Sequence, residues 1–149
     1  MATSARFAVG VHLPTALAVN PGKILRSEDV ADSANTNPVV VRRLFSLMTS
    51  AGLISARLGP GGGFELARPA SDITLRDVFA AVESGELITE HGSPPSPSCP
   101  VGAYILPVLR EATAPAAEAL AEELSRTTLA ISPAPCSPEA KSRKNADFS

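Results

Sequence analysis

The chain has 149 residues, 44% of them apolar and 19% charged, with a formal net charge of −2. That length supports one sizeable core plus an extra helical element. No apolar run approaches the ~20 residues of a membrane-spanning helix, and the apolar stretch over residues 7–19 is broken by His12 and Pro14, unlike a secretory signal.

A cytoplasmic location is therefore expected. Two cysteines, Cys99 and Cys136, provide neither a disulfide framework nor zinc-ligand spacing. The charge is unevenly spread: residues 1–85 carry eight Arg/Lys and seven Asp/Glu, whereas residues 86–149 carry five and eight. The N-terminal half is thus the less acidic one without being strongly basic, so a polyanion bound there would show a modest salt dependence per protomer.

Residues 4–19 read as a first helix, with Phe7, Ala8, Val11, Ala16 and Leu17 on its apolar side. Pro14 inside it predicts a kink or break, because proline removes a donor and crowds the carbonyl four residues back. Asn20-Pro-Gly-Lys23 is a turn. Ser27 reads as an N-cap, with Glu28 and Asp29 in the first turn of a helix running to about Ala34.

Asn37-Pro38 opens the next helix: an N-cap followed by proline at a position where its missing N–H costs nothing. Val40, Leu44, Leu47 and Met48 form its expected inner face, and Gly52 closes it. Asn35, Thr36, Asn37, Val39, Arg42 and Arg43 are left at the turn and on the other flank. That flank is either a solvated face or a groove-facing surface.

Residues 53–58 and 64–67 are short apolar runs flanking Gly59, Pro60 and three further glycines, a hairpin signature. Helix, polar turn, helix and glycine-tipped hairpin is the order of a winged helix-turn-helix. That order points to duplex DNA as the partner. As a nucleotide phosphate loop the glycine run fails, since it joins two strands with no following helix or GK[ST].

Thr74-Leu-Arg-Asp77 is a capping-box pattern for a helix carrying Leu75, Val78, Phe79 and Val82 inward and stopping near Gly85. Residues 86–98 are polar and proline-rich, a linker. Cys99-Pro100 opens a helical region reaching about Ile131. Ile105, Leu109, Ala112, Ala116, Leu120, Leu124 and Thr127 form its stripe. Pairing with another subunit and packing back onto residues 1–85 both account for that stripe. Pro107 and Pro115 predict bends or a split. Residues 132–149 have the composition of a disordered tail.

The most specific stretch, Ala51-Gly-Leu-Ile-Ser-Ala-Arg-Leu-Gly-Pro-Gly-Gly-Gly-Phe-Glu-Leu-Ala-Arg-Pro69, is followed by Ile73-Thr-Leu-Arg-Asp-Val78 and Ala81-Val-Glu83. With this order and spacing the chain resembles the Rrf2 family of bacterial transcription regulators over roughly residues 4–131. That family includes IscR-like and NsrR-like iron–sulfur sensors. The resemblance implies a mainly α fold with a small β-hairpin: a winged helix-turn-helix domain (1–85), a linker (86–98), a dimerisation helix region (99–131) and a tail. It also implies a homodimer on an operator dyad, usually a repressor.

Cluster-bearing relatives have three closely spaced cysteines before the long helix, where this chain has only Cys99 beside Ser93, Ser96 and Ser98. Clusters are normally held by thiolates, so no cofactor and no metal are expected. Cys99-Pro-Val-Gly102 and residues 35–43 resemble the cluster-free, YwnA-like branch.

The expected DNA-facing set is Ser27, Asn35, Thr36, Asn37, Val39, Val40, Arg42, Arg43, Arg57, Gly61 and Gly62. Asn can read adenine, methyl groups can touch thymine, and helix N-termini favour phosphate. Asn37 has a competing role as a pure cap, and adjacent Arg42 and Arg43 point about 100° apart, so one of them faces DNA. Relatives often carry an arginine just before the first glycine of the turn. Here that position is Leu58, which turns Arg57 to the other face of the hairpin.

Cys99 is a redox candidate, since a helix N-terminus lowers a thiol pKa; an inert loop thiol is the alternative. An unidentified small-molecule effector fits the branch. His12 and His91 have no evident metal partners. No serine motif supports hydrolysis, so no enzyme is expected. The competing reading is a winged-helix protein-interaction module that does not bind DNA, suggested by the weakly basic N-terminal half.

Overall fold

The computed structural model describes residues 3–83 and 93–130. Five helices and one hairpin follow in order: α1 (Thr3–Ala18), α2 (Ser27–Ala34), α3 (Pro38–Ser50), β1 (Ile54–Arg57), β2 (Gly63–Leu66), α4 (Leu75–Val82) and α5 (Pro100–Ser125). A single 3-10 turn, Ala70–Asp72, links hairpin and α4. His91, the expected end of α4 at Gly85, most of the linker and the tail with Cys136 lie outside the described residues.

The core gathers Leu13 and Leu17 of α1, Val30 and Ala31 of α2, Val41, Leu44, Phe45 and Met48 of α3, then Leu53, Ile54, Ile73, Val78, Val82 and Leu129, with Phe64 and Leu66 of β2 packed against it. Burying such side chains contributes about 1.5–3 kcal/mol each. This corrects two expected helix faces. In α1, Ala8 is exposed while Leu13 and Pro14 are fully buried. The helix runs through Pro14 without a break, the buried residues on either side outweighing one missing hydrogen bond. In α3, Leu47 is 40% exposed and the inner face rotates to Val41, Leu44, Phe45 and Met48.

Helix ends follow local chemistry with one correction. Asn37 caps α3, its Oδ1 accepting the Val39 N–H at 2.8 Å. Thr74 and Asp77 form the reciprocal box, at 2.9 and 3.1 Å. Ser27, however, is the first residue within α2 rather than its cap. Arg26 takes the cap position, its N–H donating to Asp29 Oδ2 at 3.2 Å. That leaves the Ser27 hydroxyl for another partner.

β1 and β2 pair antiparallel, Ile54 opposite Leu66 and Arg57 opposite Gly63. Side chains alternate between faces, so Ile54 and Phe64 face the core while Ser55, Arg57 and Glu65 face out. Phe64 stacks on Phe45 with centroids 4.2 Å apart. Leu25 adds a third rung, exchanging two backbone hydrogen bonds with Phe64 at 2.8 and 3.1 Å.

Two expectations for the C-terminal helix change. α5 is one element through Pro107 and Pro115, and it ends at Ser125 rather than Ile131. The following residues form an isolated β-bridge, Thr128 opposite Thr74, beside the start of α4. Leu75 N–H donates to Thr127, Leu129 N–H donates to Ile73, and Leu129 is buried. α4 ends at Val82, and Glu83 after it is buried and paired to Arg6 at 3.6 Å.

Truncating Phe45 to alanine should lower unfolding stability by about 3–5 kcal/mol, whereas Leu47→Ala should cost under about 1 kcal/mol. Urea unfolding of the two variants distinguishes the observed inner face from the one periodicity suggested.

Candidate nucleic-acid interface

The turn between α2 and α3 is tight because Asn35 adopts a left-handed conformation (φ 48°), with Asn35 and Thr36 N–H groups closing on Asp32 and Ala31 carbonyls. Asn and Asp tolerate this conformation better than other non-glycine residues. The turn delivers the N-terminus of α3 to the surface: Asn35, Asn37, Val39, Arg42 and Arg43 are exposed, Val39 by 65%. Thr36 is half-buried. Val40 packs against the core, which removes most of it from this face.

The two arginines differ in their surroundings. Arg42 donates from Nη2 to Glu28 Oε1 at 2.6 Å and from Nε to Ser27 Oγ at 3.3 Å. Hydrogen bonding from Arg42 holds the Glu28 carboxyl well below the usual range, at about 2. Arg43 is exposed and has no ion pair or side-chain hydrogen bond among the described residues. Ser27 itself is buried and faces Arg42. Glu28 has no marker in the sequence beyond a favourable helix-start position. Its pairing across fourteen residues exists only in the fold.

The hairpin that follows packs on α3 through Phe64 and Phe45. Gly59 and Gly61 have φ of 89° and 73°, and a Cβ on Gly62 would lie 2.2 Å from the Arg57 carbonyl oxygen. Only glycine allows that turn. Leu58 projects from it, 94% exposed. Arg57 lies on the outer face of the hairpin and pairs with Glu65 at 3.2 Å, so the wing offers backbone and an apolar tip more than free positive charge.

The remaining candidates lie elsewhere. Cys99 occupies the N-cap position of α5 and is exposed. The Gly102 and Val101 backbone N–H groups pull its thiol pKa below the ordinary range. His12 bonds Ser33 at 3.0 Å, bridging α1 and α2. A cleft of about 240 Å³ opens between the end of α1 and the base of β2, lined by Asn20, Lys23, Glu65 and Arg68 among others. None of the described helices is long and apolar enough to cross a membrane.

Comparison with known proteins matches this geometry. The Rrf2 profile, described as an iron-dependent transcriptional regulator, matches residues 3–131. YwnA of Bacillus subtilis, provisionally named an HTH-type transcriptional regulator, is 36% identical over 126 residues, covering 85% of this chain and 92% of YwnA. The HTH-type transcriptional regulator IscR of Cereibacter sphaeroides is 36% identical over 84 residues, covering 56% of this chain and 54% of IscR. A crystal structure provisionally described as a DNA-binding protein is 34% identical with a TM-score of 0.62, covering 83% of this chain and 95% of that one.

The iron in the family's description does not fit the donors present. The whole chain has two cysteines, and among the described residues no three His, Cys, Asp or Glu side chains converge. Thiolate-held iron–sulfur clusters need more sulfur than Cys99 supplies.

With the profile spanning nearly all described residues and YwnA aligned along most of its length, this chain belongs to the Rrf2 family of transcriptional regulators.

Proposed function

We propose that the chain is a sequence-specific DNA-binding repressor that acts as a homodimer on an operator dyad, without an iron–sulfur cluster. The observation that carries this reading is the outward face at the start of α3, where Val39 and the unpaired Arg43 are exposed on the helix that packs against the glycine-tipped hairpin. A helix enters the major groove by its N-terminal residues, and Val39 and Arg43 are four residues apart, hence neighbours on one side. Asn35 and Thr36 flank them. Asn37 is spent as a cap, and Arg57 is partly neutralised by Glu65. The Gly61 and Gly62 backbone approaches phosphate. On this reading residues 1–85 bind DNA, 86–98 link, and 99–131 form the dimer.

Dimerisation has its own support. α5 has 26 residues and none is buried; Val101, Tyr104 and Val108 are 67%, 70% and 56% exposed. Of the expected stripe, Ile105, Leu120, Leu124 and Thr127 are half-buried, while Leu109, Ala112 and Ala116 are exposed. An apolar strip of this length is satisfied by a second copy of the same helix.

The reading of a protein-interaction module without DNA binding is favoured by one observation. Of the three arginines expected to face DNA, Arg42 and Arg57 already have carboxylate partners.

A mobility-shift assay at low salt with the chain's own upstream DNA separates the two. Retardation selective over competitor DNA and abolished by joint Arg42→Ala and Arg43→Ala substitution is expected; no retardation leaves the interaction module. Sedimentation should give a dimer that Tyr104→Glu with Val108→Glu converts to monomer. In a Cys136→Ser background, Cys99 should react with iodoacetamide several-fold faster near pH 7 than an unperturbed thiol, because more of it is thiolate. Equal rates would remove Cys99 as a redox candidate.

A further inference from the structure

Arginine presents two hydrogen-bonding edges: a side edge formed by Nε–H and one Nη2–H, and an end edge formed by Nη1 and the other Nη2–H. In Arg42 the side edge is taken. Nε donates to Ser27 Oγ at 3.3 Å and Nη2 donates to Glu28 Oε1 at 2.6 Å. Both partners come from the first turn of α2, which is packed against α3. The end edge remains available, on a side chain that is 55% exposed. An exposed ion pair of this kind adds little to fold stability. Its consequence is direction: a long, rotamer-rich side chain is held to one orientation from both atoms of its inner edge.

We propose that Glu28 and Ser27 form a clamp that positions Arg42 to present its end edge to a guanine in the major groove, making Glu28 a specificity-determining residue that does not itself touch a base. This rests on α3 being the groove-entering helix. The chemistry selects guanine because O6 and N7 are two adjacent acceptors matching an arginine fork, whereas adenine offers a donor beside its one acceptor.

The clamp also divides labour between neighbours. Arg43, unpaired, acts as a mobile cation for phosphate, while Arg42 gives up part of its charge to Glu28 and gains orientation. Glu28 is ionised in the neutral range as any free carboxylate is, and its pairing with Arg42 pulls its pKa lower still, to about 2, so the clamp also stays set at mildly acidic pH. Clamping also lowers the non-specific attraction of the face, since Glu28 repels phosphate that Arg42 would otherwise draw.

The test is selection from a random-sequence duplex library with the full chain, comparing wild type, Glu28→Gln, Arg42→Ala and Arg42→Lys. Wild type should enrich a site with a defined guanine in each half. Arg42→Ala and Glu28→Gln should each lose preference at that same guanine, by about tenfold, with the other positions retained. Arg42→Lys keeps the charge but not the fork, and should fail to restore the guanine. Glu28→Gln should bind a scrambled duplex at least as tightly as wild type, with an unchanged thermal midpoint.

If Glu28→Gln binds every duplex more tightly with the guanine preference intact, Glu28 is only a negative charge and the clamp is wrong. Loss of no position in Arg42→Ala also overturns it. Enrichment of no sequence by the wild type overturns the DNA-reading function itself, and the clamp with it.

Discussion

Phe45 of α3 and Phe64 of β2 are stacked 4.2 Å apart, and the relation between helix and wing depends on this contact. Phe45 is fully buried while Phe64 is held from behind by its two backbone bonds to Leu25. Aromatic pairs of this kind bring large buried area and a preferred geometry. Because strand parity sends Phe64 inward, it sends Glu65 and Arg57 outward. One ring contact therefore fixes both the angle of the hairpin and which of its side chains meet solvent.

The same economy governs charge. The N-terminal half carries barely more positive than negative groups, and several of its arginines are engaged: Arg6 with Glu83, Arg26 and Arg42 with Glu28, Arg57 with Glu65 and Arg68 with Asp77. A surface built this way has weak long-range attraction for a polyanion. It relies on orientation at short range, where a fixed fork or a helix N-terminus discriminates better than a loose cation. Arg43 is the exception on α3. A dimer would present this arrangement twice, which compensates for modest charge per subunit.

α5 packs on α4, and the residues that follow it tie back to the core. The extended residues after Ser125 hydrogen-bond to Ile73 and Leu75, and Leu129 plugs into the core. Movement of α5 relative to a partner would therefore be felt at the start of α4, whose helix packs on both α1 and α3. Cys99 sits at the opposite end of the same helix, its thiol pKa lowered by the Gly102 and Val101 backbone N–H groups.

Element order, the Asn37 and Thr74 caps and the glycine turn were all legible in the chain, because each depends on a few adjacent residues and on backbone sterics that do not need a neighbour. The resemblance carried by residues 51–69 added the family. Periodicity placed most of the core but chose Leu47 over Phe45, since residues three and four apart satisfy a helical stripe equally well. Only the packing of Phe45 on Phe64 decides the rotation. Leu129 was invisible as core because the backbone bonds that seat it form against a distant segment. The pairing of Arg42 with Glu28 and Ser27 was likewise beyond sequence, which left Arg42 and Arg43 equivalent. The 100° between them became a difference in partner only when α2 was laid against α3. Local rules set what each element is, and tertiary contact decided which side of it faces outward.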